Sequence, residues 1–377
     1  MSIKDRYGAV MSTDANATAP GTAPEPLVLS RREGAITRIT LNRPRAINAL
    51  NREMFELLDA AVTTAVSDGS AAILLDGAGE RGFCGGGDIK QLSGPGGREI
   101  LALEYRVDHR IATAPIPVVG IMDGVTMGGG IGLTGHASHR VVTERSRLAM
   151  PEARIGIVPD VGGHLLLGRA PGRLGELLAV TAGEFGAGDA IALGFADSFV
   201  PSERLEQLGA ALAAGEEPGA VCARLAEPAP VPELPGARAW WDDIAEPALG
   251  AAHPPIQEDP AGAALRLLAA LDGSGSPLAA ETADTVRRMC PASVAITLAQ
   301  LDRTRRLDLD LAAVLADDLR VCSRMAARPD FAEGVRAQVI DKDRTPRWSP
   351  ASLAGLDPAE LAAILAPLRP EEPALEL

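Results

Sequence analysis

The 377-residue sequence is short of positive charge, aromatic side chains and cysteine. Lys and Arg number 36 against 50 Asp and Glu, a formal charge of −14, so the basic surface that condenses on a phosphate backbone is not expected and nucleic acid is excluded as a partner. Aromatic residues make up 3% of the chain, too few for the stacking platforms that hold single strands. Four cysteines, Cys84, Cys222, Cys290 and Cys322, stand far apart without metal-ligand spacing. That pattern predicts reduced thiols in a cytoplasmic protein, with no disulfide framework and no metal. No apolar run approaches the roughly 20 residues of a bilayer span, and no apolar segment follows a basic start. Neither a membrane partner nor a secretory leader is expected. A G-x-S-x-G nucleophile elbow is also missing.

What is present reads as α/β. Residues 1–26 are rich in Ala, Thr, Pro and Gly without periodicity and read as a disordered extension. "LVLSRR" and "AITRITLN", separated by Glu33-Gly34, alternate as a hairpin does. Asn51 then offers an N-cap to a segment with Met54, Leu57, Leu58, Ala61, Val62 and Ala65 at helical spacing. "AAILLDG" (71–77) and "PIPVVGIMDG" (115–124) are nearly continuous apolar runs, the pattern of strands covered on both faces, with a helix containing "LALEYRVDHRIA" between them. This alternation predicts parallel pairing. The expected division is a core over 27–225, a Pro/Ala-rich connection over 226–260 and a mostly helical region over 261–377.

The stretch "GVTMGGGIGLTGH" (124–136) contains G-x-G-x-x-G from Gly130 to Gly135, with Glu152 at the offset of a ribose-binding acid. A dinucleotide fingerprint needs its first glycine at the strand end. Here the strand finishes near Met122, and Gly124 to Met127 read as a turn before Gly128 and Gly129. Glycines that let a helix press closely on a strand explain the pattern as well. A second cluster, "GFCGGGDIKQL" (82–92), follows the earlier apolar strand. Two strand ends therefore each deliver a glycine turn, and bare amides at two such places can converge on one oxygen atom.

"LNRPRAINALN", "GFCGGGDI", "GVTMGGGIGL" and "MPEARIGIVPDVGG", in this order and spacing, resemble the crotonase (enoyl-CoA hydratase/isomerase) superfamily. The resemblance runs from about residue 27 to about 365, and "DFAEGVRAQVIDKDRTPRW" (330–348) is similar to its thioester-hydrolase branch. It implies the crotonase (ClpP-like) spiral of ββα turns with a C-terminal helical region, an acyl-CoA substrate and a homo-oligomer. Coenzyme A would enter as part of the substrate, with no separate cofactor. By motif position the Gly85 and Gly129 N–H groups would form the oxyanion hole, and Glu152 and Asp160 would be the acids. Glu104 would line the acyl pocket. Arg45 would meet a coenzyme A phosphate, and the backbone at Asp88 and Ile89 the adenine or pantetheine portion.

Read locally, Glu152 is also a first-turn glutamate after Pro151, and Asp160 a turn or N-cap aspartate before Val161-Gly162-Gly163. Where hydratases of the superfamily carry a first water-holding glutamate, this chain has Gly132. Loss of that acid and gain of Asp160 point to hydrolysis of a short branched acyl-CoA thioester; a hydratase or isomerase, or a catalytically silent acyl-CoA binder, are the alternatives. Cys84 lacks an adjacent base and is expected to be a packing residue. His136, His139 and His164 show no organised carboxylates and are expected to be structural or solvent-facing.

Overall fold

The structure is a computed structural model that describes residues 25–377. The extension expected over 1–26 therefore falls almost wholly outside the described residues. Strands β1 (Val28–Glu33) and β2 (Ile36–Leu41) form the expected hairpin about Gly34, and Asn51 caps α1 (Arg52–Ser67) by accepting the Met54 N–H at 2.9 Å. β3 (Ala72–Gly77) then leads through α2 (Ile89–Leu92) and α3 (Gly97–Ala112) to β4 (Val118–Met122). β5 (Val125–Met127), α4 (Gly129–Gly135), β6 (His139–Val142) and β7 (Arg147–Ala149) follow. Next come α5 (Gly163–Arg169), α6 (Leu174–Thr181), β8 (Glu184–Phe185), α7 (Ala187–Ala192) and β9 (Ser198–Phe199).

The larger sheet has the order β1-β2-β3-β4-β6-β9, parallel from β2 onward; the smaller is β5-β7-β8. The passes β4-β5-α4 and β6-β7-α5 thus place one strand in each sheet before a helix, the repeating ββα turn of the spiral. Alternation within β3 explains the two buried faces. Ile73 and Leu75 join the main core, whereas Ala72 and Leu74 pack with Leu208, Leu212, Val221 and Leu225 from α8 (Leu205–Ala213) and α9 (Pro218–Leu225). The residues read as a turn after β4 instead make β5, because Val125 to Met127 find a parallel partner in β7.

Inside the stretch read as a connection, α10 (Leu234–Leu249) is helical. Pro235 sits in its first turn, where a missing N–H costs nothing, and Trp241, Ala245, Ala248 and Leu249 form a buried stripe. Trp241 is fully buried and donates its indole N–H to the Arg173 carbonyl at 2.6 Å. Helices α11 (Pro260–Gly273), α12 (Pro277–Arg288), α13 (Pro291–Leu307), α14 (Leu311–Ala326), α15 (Pro329–Val335) and α16 (Pro358–Leu365) complete the chain. α13 is buried on nearly all sides, so this region is a packed layer against the spiral rather than an appendage. Among the described residues, no helix is long and apolar enough to cross a membrane.

Candidate active site

The segment after β3 is pinned beside β5 by bridges of Gly82 to Gly124 and Cys84 to Thr126. This brings its glycines against the start of α4. Gly85 donates its N–H to the Ile47 carbonyl at 2.7 Å, Gly86 to Cys84 Sγ at 3.4 Å, and Asp88 to the Leu50 carbonyl at 2.6 Å. Among the described residues the Gly87 N–H has no acceptor, and neither has the Gly129 N–H in the first turn of α4. A Cβ placed on Gly129 would lie 3.5 Å from Gly87 N, and one on Gly86 would lie 3.9 Å from Gly129 N. The two free N–H groups therefore share one space. Gly85, assigned as a donor from motif position, is corrected to Gly87: three successive glycines are equivalent in sequence, and only strand pairing reveals which amide is already engaged.

Two carboxyls, Glu152 and Glu104, border that space, and Asp160 and Asp108 interact with them through charge. Glu152 opens a one-turn 3-10 helix, is 4% exposed, and places Oε1 2.9 Å from where a Cβ on Gly128 would stand. Gly128 has φ +46°, so any side chain there meets both backbone strain and the carboxylate. Burial, with the Asp160 charge second, pushes Glu152 well above the usual carboxylate range, and its Oε2 has no partner among the described residues. Asp160, 6% exposed, is raised to about 7 by burial and by Asp318. Glu104 on α3 sets Oε1 against Gly129, and it too is held well above its ordinary value by burial and the Asp160 charge. Asp108, one turn further along α3, was not singled out from sequence; both its oxygens are buried and have no partner among the described residues.

Comparison with known proteins gives this geometry a context. The family model "Enoyl-CoA hydratase/isomerase" matches residues 36–365. The chain belongs to the enoyl-CoA hydratase/isomerase family. Mitochondrial 3-hydroxyisobutyryl-CoA hydrolase of Mus musculus is 37% identical over 345 residues, covering 89% of this chain and 87% of that protein. The Homo sapiens protein of the same name is 33% identical, covering 86% and 85%. Among solved structures, an enoyl-CoA hydratase from Rhodobacter sphaeroides is 40% identical with TM-score 0.82, covering 93% of this chain and all of that one (100%). A carnitinyl-CoA dehydratase from Mycobacterium thermoresistibile is 36% identical with TM-score 0.82, covering 92% and 98%.

In this family member the acids are held from behind by residues that local sequence did not mark. Tyr105 donates its hydroxyl to Asp160 Oδ2 at 2.6 Å, and Cys322 Sγ lies 3.6 Å from the same oxygen. Val161 (φ +52°) and Gly162 (φ +73°) reverse the chain after Asp160. Asp318 on α14 accepts the Gly162 N–H at 2.9 Å and ion-pairs with His164 Nε2 at 2.7 Å, while His164 Nδ1 lies 2.9 Å from Thr304 Oγ1 on α13. His164 is thus a fully buried charge partner, the structural rather than the solvent-facing of the two roles expected for it. Burial opposes its protonation, but the Asp318 charge prevails and raises its pKa. Replacement of Asp318 by Asn is expected to destabilise the fold by about 1.5–3 kcal/mol, the range for a hydrogen bond to a charged group. Thermal unfolding checks it; an unchanged Tm would remove the pair from the account of the loop.

The same burial sets the sign of the pH dependence. Glu104, Asp108, Glu152 and Asp160 all have raised pKa values, so above the unfolded carboxylate range near 4 the folded chain binds more protons than the unfolded one. Stability contributed by these neutral acids is complete below that range and is lost as pH rises through 7 and beyond. The raised His164 acts in the same direction. Below pH 4, paired carboxylates such as Asp343, held at about 2, limit stability instead. Tm is therefore expected to peak near pH 5–6 and to fall by roughly 5 °C or more by pH 8.5. Calorimetry across that interval tests it, and a plateau to pH 8.5 contradicts it.

The remaining assigned residues lie differently. Arg45 is exposed on a one-turn helix outside the acid cluster. Asp88 is corrected as a backbone contact: its N–H is engaged by Leu50, its carbonyl by Gln91 and Leu92, and its carboxylate by Arg43 at 3.0 Å. The Ile89 N–H, at the start of α2, has no acceptor among the described residues. Cys84 is fully buried and its thiol is pushed up to about 12 by burial. It packs against Gly130, where a Cβ would stand 2.8 Å from Cys84 Cβ. Close packing therefore explains the first glycine of the dinucleotide-like run. His136, lowered to about 4 by burial, places Nε2 3.1 Å from the Val161 carbonyl. A cavity of about 560 Å³ lies elsewhere, on the opposite face of α3, between Arg98, Ala102, Arg106 and Leu319.

Proposed function

We propose that the chain hydrolyses a short, branched hydroxyacyl-CoA thioester, converting 3-hydroxyisobutyryl-CoA and water to 3-hydroxyisobutyrate and CoA, a step of valine breakdown. The observation that carries this reading is the pair of undonated N–H groups, Gly87 and Gly129, opening on one space beside the Glu152 carboxyl. The thioester carbonyl oxygen accepts from both, and preorganised donors of this kind stabilise the oxyanion that forms in acyl transfer. Glu152 either attacks the carbonyl carbon, releasing CoA thiolate and leaving a mixed anhydride that water cleaves, or removes a proton from the attacking water. Asp160, with the Tyr105 hydroxyl fixed to it, orients the substrate hydroxyl or the water, and Glu104 borders the acyl group.

Gly132 favours hydrolysis over hydration, because α4 brings no second carboxylate to bear on an enoyl double bond. The names of the two solved relatives favour a hydratase. One assay separates the readings: incubation with 3-hydroxyisobutyryl-CoA and with crotonyl-CoA, following free thiol and enoyl absorbance. Thiol release from the first supports the hydrolase, whereas enoyl loss without thiol overturns it. Four buried free cysteines fit a reducing compartment, whether cytoplasm or the mitochondrial location named for the relatives. A homo-oligomer remains part of this proposal and is tested by light scattering.

A further inference from the structure

Two acids on α3 are matched to two glycines on α4. Glu104 Oε1 stands 2.3 Å from the Cβ position of Gly129, and Asp108 Oδ2 stands 2.8 Å from the Cβ position of Gly132. The pairs are one helical turn apart on both helices. Gly132 is hemmed in from the other side by Val161, whose Cβ would be 2.7 Å from a Cβ at 132. The carboxyl of Asp108 therefore occupies the volume that a side chain at 132 would otherwise fill, next to the loop carrying Asp160.

Asp108 is 0% exposed, and neither of its oxygens has a hydrogen-bond partner among the described residues. A fully buried carboxyl without a partner is costly and is not explained by packing, since leucine has nearly the same shape. Burial, then the charges of Glu104, Asp160 and Asp318, keeps it well above the usual carboxylate range, so it is present as a neutral acid able both to donate and to accept.

We infer that Asp108, whose carboxyl takes the space left by Gly132, is a specificity-determining residue which hydrogen-bonds the hydroxyl of the acyl group. This rests on the thioesterase reading above. The carbonyl held at Gly129 N and the hydroxyl two carbons further on then span one turn of α4, and Glu104 and Asp108 face them in the same order. A site built around a hydroxyl rejects the analogue lacking it because its own polar groups are left unpaired.

The test compares kcat/KM for 3-hydroxyisobutyryl-CoA with that for isobutyryl-CoA, which lacks the hydroxyl, in the wild type and in Asp108→Leu and Asp108→Asn. Leucine is expected to lower the hydroxy-to-deoxy ratio at least tenfold. Asparagine, which keeps a donor and an acceptor in the same shape, is expected to hold the ratio within about threefold of wild type. Equal losses on both substrates in the leucine variant, or an asparagine variant as indiscriminate as leucine, would overturn the role. Should the leucine variant fail to fold, Asp108→Ala is read by the same ratio. If the wild type releases thiol from neither thioester, the thioesterase reading itself falls and this inference with it. Thiol release by the wild type with an unmoved ratio in the variants removes only Asp108.

Discussion

Replacement of Glu152 by glutamine is expected to lower kcat/KM for thiol release by about 10³–10⁴-fold, the scale lost when a nucleophile or general base is removed from an otherwise intact site. Both routes require the carboxylate, and glutamine preserves shape while supplying neither a nucleophilic oxygen anion nor a base. The site is buried, so bulk water has little access to replace it. Tm at pH 8 should rise in the same variant, because Glu152 carries a buried, unpartnered oxygen and a raised pKa, and removing its ionisation relieves a cost. Loss of activity with gain of stability is a signature that misfolding cannot imitate. The wild-type rate should rise with pH through the titration of the coupled acids, near 7 where Asp160 lies. Asp160→Asn should move that limb to lower pH, since one like charge beside Glu152 is gone. A Glu152→Gln protein retaining more than a tenth of wild-type turnover would sink the assignment.

Gly129→Ala is expected to cost about 10²–10³-fold in kcat, the effect of losing one oxyanion donor. The added Cβ would stand 2.3 Å from Glu104 Oε1 and 3.2 Å from Leu50 Cδ1, so the start of α4 must retreat from the space it shares with Gly87. The informative contrast is Gly85→Ala. Its Cβ would make only ordinary contact, 3.5 Å from the Ile47 carbonyl, and its N–H is already engaged by that carbonyl. Gly85→Ala should lose less than tenfold. The reverse order of effects would restore Gly85 as the donor and discard Gly87.

Much of this was legible in the chain. The buried strands β3 and β4 showed as apolar runs, the cap of α1 as Asn51, and the two glycine turns as clusters placed directly after strands. Glu152 and Asp160 were marked by the family resemblance, and both are buried. Asp108 was missed although a signal existed. On α3, Leu101, Glu104, Tyr105, Asp108 and Ile111 recur at helical spacing, so two acids lie on a stripe that is otherwise apolar or aromatic. An acid inside an apolar stripe must find a partner or stay neutral, and that alone makes it a candidate. Asp318 lies on a comparable stripe of α14 with Val314, Leu315, Cys322 and Met325. Nothing local links it to Gly162, 156 residues away in sequence.

The residue order by itself determined where strands end and where glycine lets backbone approach backbone, because these are short-range matters of periodicity and φ/ψ freedom, while the family resemblance marked which acids to expect. Tertiary structure alone decided which glycine amide stays undonated, since Gly85 is engaged by a carbonyl 38 positions earlier, from Ile47. It also decided that α3, α13 and α14 close over the acids. Their protonation follows from that closure, because desolvation comes from atoms brought together across the whole chain.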